Sequence, residues 1–263
     1  MRTIIAAALA ATMLAGCGGA DDADTQEEAA YTARQYNSAI NDIARTPADR
    51  EADANRQPGE LLAFAQIDKG ETVGDYIMGG GYVTRLLAMA VGANGRVYAF
   101  QPEEFIEFRP EYATEQDDAV APYADAQGNQ ERVIPLRASI SEPGFPQGEL
   151  DTIITIMNFH DLYNMEDDTP DTALAALYAA LKPGGKLVII DHSAAEGSGT
   201  EATENLHRID EQTVRDAVTA AGFEFEEASN LYSRPDDARD ANVFDESIQG
   251  QTDQFALRFV KPG

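Results

Sequence analysis

A strand, a glycine turn, a helix and a second strand follow one another in the stretch VGDYIMGGGYVTRLLAMAVGANGRVYAF, which begins at Val73. Asp75 lies near the end of the first predicted strand, and Gly79, Gly80 and Gly81 form the turn. Strands joined through a helix form a mostly parallel sheet with right-handed crossovers. Such a sheet binds its ligand beyond the carboxyl ends of the strands, where glycines allow the backbone to approach it. The stretch therefore predicts a nucleotide-like cofactor site at this turn.

The same alternation of strands and helices continues along the chain. The run LDTIITIMNF, residues 150–159, is rich in apolar and β-branched residues, as expected of a strand that is covered on both faces. The closing segments, FEFEEASNLY and TDQFALRFVK, are predicted to pair as an antiparallel hairpin across a long acidic loop. Predicted strands are 72–77, 96–100, 132–136, 150–159 and 186–190, with helices over 82–91, part of 103–126, 172–181 and 210–221.

The first residues resemble a bacterial export signal. Arg2 supplies a positive charge, and Thr3–Leu14 is an apolar run too short to span a membrane. The following LAGC, which ends at Cys17, resembles the lipobox of lipoproteins, in which the cysteine receives lipid and becomes the first mature residue. The alternatives are a plain secretory signal or a buried helix with an incidental cysteine. By resemblance to enterobacterial sorting, Gly18 indicates the outer membrane.

This pattern predicts three segments. Residues 1–16 are a lipoprotein signal peptide, 17–46 an acidic tether with an N-terminal helix, and 47–263 the folded domain. We expect the protein to be exported and lipid-anchored to the outer membrane facing the periplasm, in contact with the membrane only through lipidated Cys17. Because Cys17 is the only cysteine, no disulfide can form within the chain.

The charge of the chain excludes one class of partner. Its 46 acidic residues outnumber 19 lysines and arginines, giving a formal net charge of −27. Such a surface repels nucleic acid and anionic lipid head groups. Basic runs with interleaved aromatic residues are also absent, so we expect no nucleic-acid partner. The sequence gives no indication of the oligomeric state.

Three stretches resemble the class I S-adenosylmethionine-dependent methyltransferases. They are the glycine turn preceded by Asp75, the run LDTIITIMNFHDLYN, and ALYAALKPGGKLVIID, in which a proline-glycine-glycine turn joins a helix to a strand. The region DHSAAEGSGTEATENLHRID is similar to a poorly characterised bacterial subgroup of predicted methyltransferases. The resemblance covers roughly residues 47–261. It implies a Rossmann-like, doubly wound α/β fold with a mostly parallel seven-stranded sheet and a C-terminal antiparallel pair, and S-adenosylmethionine as the cofactor.

The resemblance also implies which residues bind the cofactor. Asp75 corresponds to an acid that faces the amino-acid end of the cofactor, and residues 79–81 to the close-approach glycines. Gln101 stands where the family has an acid that accepts hydrogen bonds from the ribose, and the bonds of its amide are weaker. Asn158 is expected to border the methyl donor, unless it only caps a strand end. Tyr82 is expected to flank the cofactor, unless it is a buried aromatic at a helix start.

The three histidines of the chain supply the candidate catalytic residues. His160 and His192 follow predicted strands and neighbour Asp161 and Asp191 respectively, while His207 precedes a helix. Imidazole titrates near neutrality, so these residues could take a proton from a methyl acceptor. The histidines with their aspartates could instead bind a divalent ion, or merely satisfy loop backbone groups. We assign all five as catalytic candidates, assign no metal ligand, and favour His160 as the base because it directly follows the fourth strand.

Two functions from different classes are compatible with these residues. The first is an S-adenosylmethionine-dependent methyltransferase that acts on a small molecule. The second is a membrane-tethered binding or scaffold protein with a degenerate methyltransferase fold and no catalysis. Gln101 and the export signal favour the second, because S-adenosylmethionine is made in the cytoplasm. The glycine turn and the histidine-aspartate loops favour the first.

Overall fold

A computed structural model of the chain describes residues 31–166 and 168–263. The export signal, Cys17 and the first part of the acidic tether lie outside these residues. Within them, no helix combines the length and the apolar character that crossing a membrane requires. Residues 31–46, the described part of the predicted tether and helix, pack against the helices that follow, and the Tyr36 hydroxyl donates a hydrogen bond to the Ile67 carbonyl at 2.9 Å.

The described residues build a seven-stranded sheet in the order β3-β2-β1-β4-β5-β7-β6. Strands β1 to β5 pair in parallel, and β7 is antiparallel to both β5 and β6. This arrangement confirms the predicted Rossmann-like α/β fold with its C-terminal antiparallel pair. The strands are β1 Thr72–Tyr76, β2 Arg96–Pro102, β3 Val133–Ala138, β4 Leu150–Ile156, β5 Leu181–His192, β6 Glu224–Ser229 and β7 Gln254–Val260.

Three of the described α-helices precede β1, and further helices alternate with most of the strands that follow. The α-helices of the described part are α1 Asn37–Ile40, α2 Pro47–Arg56, α3 Pro58–Ala65, α4 Tyr82–Ala90, α5 Glu103–Phe108, α6 Glu111–Val120, α7 Thr169–Ala180, α8 Thr203–Leu206 and α9 Glu211–Ala220. Short 3-10 helices are Ala33–Tyr36, Ala121–Tyr123 and Phe159–Asn164. The helix predicted over 172–181 begins earlier, at Thr169, because Pro170 is well tolerated in the first turn of a helix.

Both faces of the sheet are covered by apolar packing. In β5, Val188 and Ile190 belong to the cluster formed with α3 and α4, whereas Leu187 and Ile189 belong to the cluster formed with α7 and α9. Because side chains alternate between the two faces of a strand, a strand covered on both sides is rich in apolar residues on both faces. This explains the consecutive apolar residues 153–154 in β4 and 187–190 in β5.

The strand order reverses between β1 and β4. β1 pairs with β2 on one side and with β4 on the other, so the connections that leave β1 and β4 run in opposite directions. In sheets of this type the ligand crevice forms at that reversal, outside the carboxyl ends of the strands. A ligand-binding site is therefore expected between the loops after β1 and β4.

Candidate functional site

A cleft of about 1110 Å³ opens at the carboxyl ends of β1, β4 and β5. Cofactor and ligand pockets commonly have volumes of several hundred cubic ångströms, so this cleft has room for a nucleotide-sized molecule and a small second ligand. Among the residues that line it are Asp75, Gly79, Gly80, Tyr82, Asn158, His160, Asp161, His192 and His207. Most of the residues predicted for a site thus share one cavity.

The glycine turn contributes its first two glycines to the cleft. Gly79 has φ of +53°, which suits glycine, and a Cβ atom added there would meet no atom within 4 Å. A Cβ at Gly80 would approach only the Glu115 carboxylate, at 3.7 Å. Gly81 differs, because a Cβ there would lie 2.5 Å from the Cβ of Ala119. Gly79 and Gly80 therefore leave open space for a ligand, while Gly81 permits close packing of α4 on α6.

Asp75 ends β1 beneath this turn and is 3% exposed. The Thr84 hydroxyl on α4 donates a hydrogen bond to the Asp75 carboxylate at 2.5 Å. Burial raises the pKa of Asp75 to about 6, and the bond from Thr84 only partly offsets it. A cationic ligand group beside the carboxylate would favour its charged form. The position fits a group that recognises an ammonium.

Helix α2 holds the glycine turn from outside. The Arg85 guanidinium donates two hydrogen bonds of 2.7 Å to the Asp49 carboxylate and a third, of 3.0 Å, to the Gly80 carbonyl. Burial opposes ionisation of Asp49, but Arg85 holds the pKa of that carboxyl below its usual value. The Tyr82 hydroxyl donates to the Asp53 carboxylate at 2.8 Å, so this aromatic ring is fixed by α2 while it lines the cleft.

The sequence analysis did not identify the pair of Asp49 and Arg85. Two signals could have revealed it. Thr46 and Asp49 form a capping box, with the Thr46 backbone donating to the Asp49 carboxylate, which marks the start of α2. Arg85 is the one charged residue in YVTRLLAMA, whose residues are otherwise apolar or small, and a buried charge requires a partner.

Gln101, at the end of β2, is fully buried but is not part of the cleft wall. Neither atom of its side-chain amide has a hydrogen-bond partner among the described residues. Buried polar groups are nearly always bonded, so an unpartnered amide at this strand end fits a residue that awaits ligand hydroxyls. The nearby Glu104 lines the cleft, and its carboxylate accepts hydrogen bonds from the Ile140 backbone at 3.0 Å and the Ser139 hydroxyl at 2.9 Å.

Asn158 joins the loops after β1 and β4. Its amide nitrogen donates to the Ile156 carbonyl at 2.7 Å and to the Ile77 carbonyl at 3.2 Å. Ile77 and Met157 line the cleft on either side with φ of +65° and +59°, a region that costs residues with side chains roughly 1–2 kcal/mol each. Strained residues of this kind concentrate at functional sites.

His160 lies in the 3-10 helix after β4 and pairs with Asp191 at the end of β5. Its Nδ1 atom is 2.9 Å from Oδ1 of Asp191, and its backbone N–H donates to Oδ2 at 2.8 Å. The backbone N–H of His192 donates to Oδ1 of the same carboxylate at 2.8 Å. An ionised carboxylate only accepts hydrogen bonds, so the imidazole proton lies on Nδ1. In the neutral ring the lone pair of His160 is therefore on Nε2.

The charges of this pair stabilise one another. Burial disfavours the charged form of each group, but Asp191 outweighs it for His160, whose pKa is raised. For the fully buried Asp191, burial is likewise outweighed by His160, and the pKa of the carboxyl is lowered. The neighbouring aspartate, Asp161, has a pKa raised by burial to about 6.

His160, Asp161 and His207, here called the histidine cluster, bring three ligand-type atoms together. Nε2 of His160 is 3.3 Å from Nδ1 of His207 and 3.4 Å from Oδ1 of Asp161. His207 follows α8 with φ of +54°, another strained position. Its ring lies edge-on to Phe244, with 4.9 Å between the ring centroids. The structure thus brings His207, which the sequence placed only before a helix, next to His160.

His192 lines the same cleft but stands apart from the cluster. Its Nδ1 atom is 2.9 Å from the Thr252 hydroxyl oxygen. Burial lowers the pKa of His192 to about 4, so this imidazole is neutral at physiological pH. Of the five catalytic candidates, four therefore form a connected group around His160, and the hydrogen bond from His192 to that group comes from its backbone N–H.

Exposed apolar side chains line the cleft, and the sequence analysis did not single them out. Phe108 is 88% exposed, Phe244 63% and Met165 36%, and all three line the cavity. Large exposed apolar groups around a cavity commonly contact a ligand. No periodicity marks these residues, because each lies at a helix end or in an irregular loop.

Comparisons with known proteins agree with this fold. Residues 78–189 match the sequence profile of a family described as a methyltransferase domain. A structure of an S-adenosylmethionine-dependent methyltransferase from Aquifex aeolicus is similar with a TM-score of 0.57 and 22% sequence identity, over 81% of this chain and 94% of that chain. No curated protein sequence matches the chain significantly.

Two other structures show the range of chemistry that accompanies this fold. An arsenic(III) S-adenosylmethionine methyltransferase from Chlamydomonas reinhardtii is similar with a TM-score of 0.53 and 16% identity, over 83% of this chain and 74% of that chain. The (4+2)-cyclase SpnF is similar with a TM-score of 0.54 and 17% identity, over 84% of this chain and 85% of that chain. Identities this low establish a common fold and leave the reaction to the residues of the site.

Proposed function

We propose that the chain transfers a methyl group from S-adenosylmethionine to a small-molecule acceptor. The observation that carries this proposal is a single cleft that combines an open glycine turn with an imidazole oriented by a buried carboxylate. The matched methyltransferase segment, residues 78–189, includes the glycine turn, His160 and most of β5.

The cofactor would lie at the glycine side of the cleft. Asp75 would face the ammonium of its amino-acid end, and the backbone at Gly79 and Gly80 would contact it closely because no Cβ stands in the way. The unpartnered amide of Gln101 lies behind the cleft wall, so it would bond the ribose hydroxyls only if the residues in front of it moved aside on binding. Asn158 and Tyr82 would border it from the loop after β4 and the start of α4. S-adenosylmethionine supplies an electrophilic methyl group on a sulfonium.

The acceptor would lie at the histidine side of the cleft. Methyl transfer requires a nucleophile with a free electron pair, so a hydroxyl or thiol must lose its proton before or during attack, and an amine must attack in its neutral form. Asp191 fixes the His160 ring so that its Nε2 atom faces Asp161 and His207. There the Nε2 lone pair can accept the proton of the acceptor or bind an ion. Phe108, Met165 and Phe244 supply apolar surface for the rest of the acceptor.

We also propose that Cys17 is lipidated and anchors the domain to the outer membrane on its periplasmic side. The support is the short apolar run that ends in LAGC, with a glycine after the cysteine. The strongly acidic chain has little affinity of its own for anionic lipids, so the lipid would be its only membrane contact. The methyl donor would then have to reach that compartment.

The second candidate is a tethered binding or scaffold protein without catalysis. Gln101 favours it, because a neutral amide binds ribose hydroxyls more weakly than a carboxylate does. Calorimetric titration of the full-length chain in detergent with S-adenosylmethionine decides between the two, together with a screen for S-adenosylhomocysteine production across small phenols, amines and thiols. Donor binding with turnover supports the transferase. A folded chain that binds no donor refutes it.

A further inference from the structure

We propose that the histidine cluster binds one divalent metal ion of the borderline class represented by Zn²⁺. Nε2 of His160, a carboxylate oxygen of Asp161 and Nδ1 of His207 would be its protein ligands. The fourth position would open on the cleft. The role of the ion rests on the proposed function, whereas its binding can be measured without any turnover.

Two of the three distances within the cluster match a tetrahedral site. Ligand atoms about 2.0–2.1 Å from a tetrahedral zinc ion lie roughly 3.3–3.4 Å from one another. Nε2 of His160 is 3.3 Å from Nδ1 of His207 and 3.4 Å from Oδ1 of Asp161. All three atoms lie within 4.8 Å of one another. The cluster therefore needs little rearrangement to surround an ion.

Hydrogen bonds satisfy the two contacts of His160 Nε2 only in part. This atom carries either a proton or a lone pair. With a lone pair it accepts from His207 and faces the Asp161 carboxylate without a proton between them. With a proton it must share that one proton between Asp161 and His207. An ion would give all three atoms a favourable partner at once.

The buried carboxylate behind His160 is an independent indication. Metal-binding histidines almost always donate their second ring N–H to a carboxylate, a carbonyl or a water, which fixes the tautomer and strengthens the ligand. Asp191 occupies that position with a fully buried side chain, 2.9 Å from Nδ1 of His160. Its other hydrogen bonds come from two backbone N–H groups, so the carboxylate itself is firmly held.

The donor set selects the kind of ion. Two imidazole nitrogens and one carboxylate oxygen suit Zn²⁺ and its neighbours, whereas Mg²⁺ and Ca²⁺ prefer oxygen ligands. Three protein ligands with one open position are typical of catalytic rather than structural zinc. His207 supplies its ligand atom from a strained backbone with φ of +54°, which is expected where function fixes a conformation.

In the proposed reaction the ion would activate the acceptor. A hydroxyl or thiol at the open position has a lowered pKa, and its proton leaves to water rather than to His160. The electron pair of the acceptor atom then forms the bond to the methyl carbon. The carbon–sulfur bond of the donor breaks at the same time, and its electron pair remains on sulfur.

The test measures Zn²⁺ binding by the full-length chain, purified without a polyhistidine tag and stripped with a chelator. We expect one equivalent to bind. Asp161→Asn and His207→Gln should each lower the affinity on the order of 100-fold, because each removes one of three ligands. Asp191→Asn should lower it about 10–100-fold through His160. His192→Gln is the matched control and should bind Zn²⁺ as wild type does.

The outcomes are separable from those of the proposed function. A folded wild-type chain that takes up no Zn²⁺, or equal binding by wild type and both ligand variants, overturns the metal site. Circular dichroism and melting temperature confirm that each variant is folded. S-adenosylmethionine titrated into the same metal-free samples tests the cofactor site alone. Binding of S-adenosylmethionine without binding of Zn²⁺ supports the transferase proposal and refutes the metal site. Binding of Zn²⁺ without binding of S-adenosylmethionine supports the metal site and refutes the transferase proposal.

Discussion

Nδ1 of His160 lies 2.9 Å from Oδ1 of Asp191, although 31 positions separate the two residues in the chain. The contact joins one histidine-aspartate neighbour pair of the sequence to the other. His160 pairs with the aspartate that precedes His192, and Asp161 faces the opposite ring nitrogen of His160. The contact exists because β4 and β5 are parallel neighbours whose carboxyl ends meet at one edge of the sheet. It ties the proposed acceptor side of the cleft to the centre of the fold.

We predict that His160→Ala lowers turnover on the order of 10²–10⁴-fold, since it removes the group that takes the acceptor's proton or holds the activating ion. Affinity for S-adenosylmethionine should stay near that of wild type, because Asp75 and the glycine turn are unchanged. The measurement is S-adenosylhomocysteine production with an acceptor found by screening. Full turnover in the variant would show that His160 has no part in the reaction.

We predict that Asp75→Ala and Gly80→Val each weaken S-adenosylmethionine binding at least roughly tenfold while the fold persists. The first removes the partner of the ammonium, and the second fills open space at the glycine turn. Gly81→Val is the contrasting variant, because its Cβ collides with Ala119 and should lower the melting temperature instead. Calorimetric titration and thermal unfolding separate the two effects. Unchanged dissociation constants in both binding variants would place the cofactor elsewhere.

We predict that Arg85→Ala destabilises the protein by about 3–5 kcal/mol, because it leaves the Asp49 carboxylate buried without its cation. Donor binding should weaken as well, since Arg85 holds the Gly80 carbonyl. Lys182→Ala is the control, because its ion pair with Asp151 is partly exposed and should contribute at most about 1 kcal/mol. Urea unfolding of the two variants measures the difference. Equal losses would mean that the buried pair has no special role.

We predict a pH-dependent effect of Glu71→Gln on stability. Burial raises the pKa of Glu71 to about 7 in the folded protein, and Lys186 only partly offsets this. Because the native state holds the proton more tightly, the stability from this group is present below about pH 4.5 and is lost as pH rises through about 7. The variant should therefore gain about 1–2 kcal/mol over wild type at pH 8 and much less near pH 5. Urea unfolding at the two pH values gives the comparison, and a gain independent of pH would contradict it.

We predict that Cys17 carries the lipid anchor. A fatty-acid analogue supplied to expressing bacteria should label the wild-type chain, which should fractionate with the outer membrane. Cys17→Ala should take up no label and leave the membrane fraction, because the cysteine is the only one in the chain. Equal labelling of both proteins would rule out lipidation at this residue.

The fold could be predicted because its signals are local and repeated. Runs rich in apolar and β-branched residues, such as residues 150–156 and 187–190, indicate strands covered on both faces, and the glycine and proline-glycine-glycine turns mark where strands and helices meet. These strand and turn signals depend on residues close together in the chain. The antiparallel pairing of β6 and β7 was also predicted, from the two closing segments of the sequence.

The details of the site could not be predicted in the same way. The pairing of His160 with Asp191 depends on the register between two strands, and the approach of His207 depends on an irregular loop with a left-handed residue. The bond between Arg85 and Asp49 joins two helices 36 positions apart. Spacing within the sequence does not determine such contacts. The cofactor and catalytic roles assigned to these residues stay predictions.

β7 is the last strand of the sheet to be synthesised, and it pairs with β5, the strand that carries Asp191. β5 lies between β4 and β7, and Phe255 of β7 is the register partner of Asp191. Every other strand of the sheet leaves the ribosome before β7 does, so a nascent chain that still lacks β7 has β5 at a bare sheet edge. The carboxylate that orients His160 would then lack its β7 neighbour on that side. The orientation of His160 therefore depends on the docking of β7 as well as on the pairing of β4 with β5.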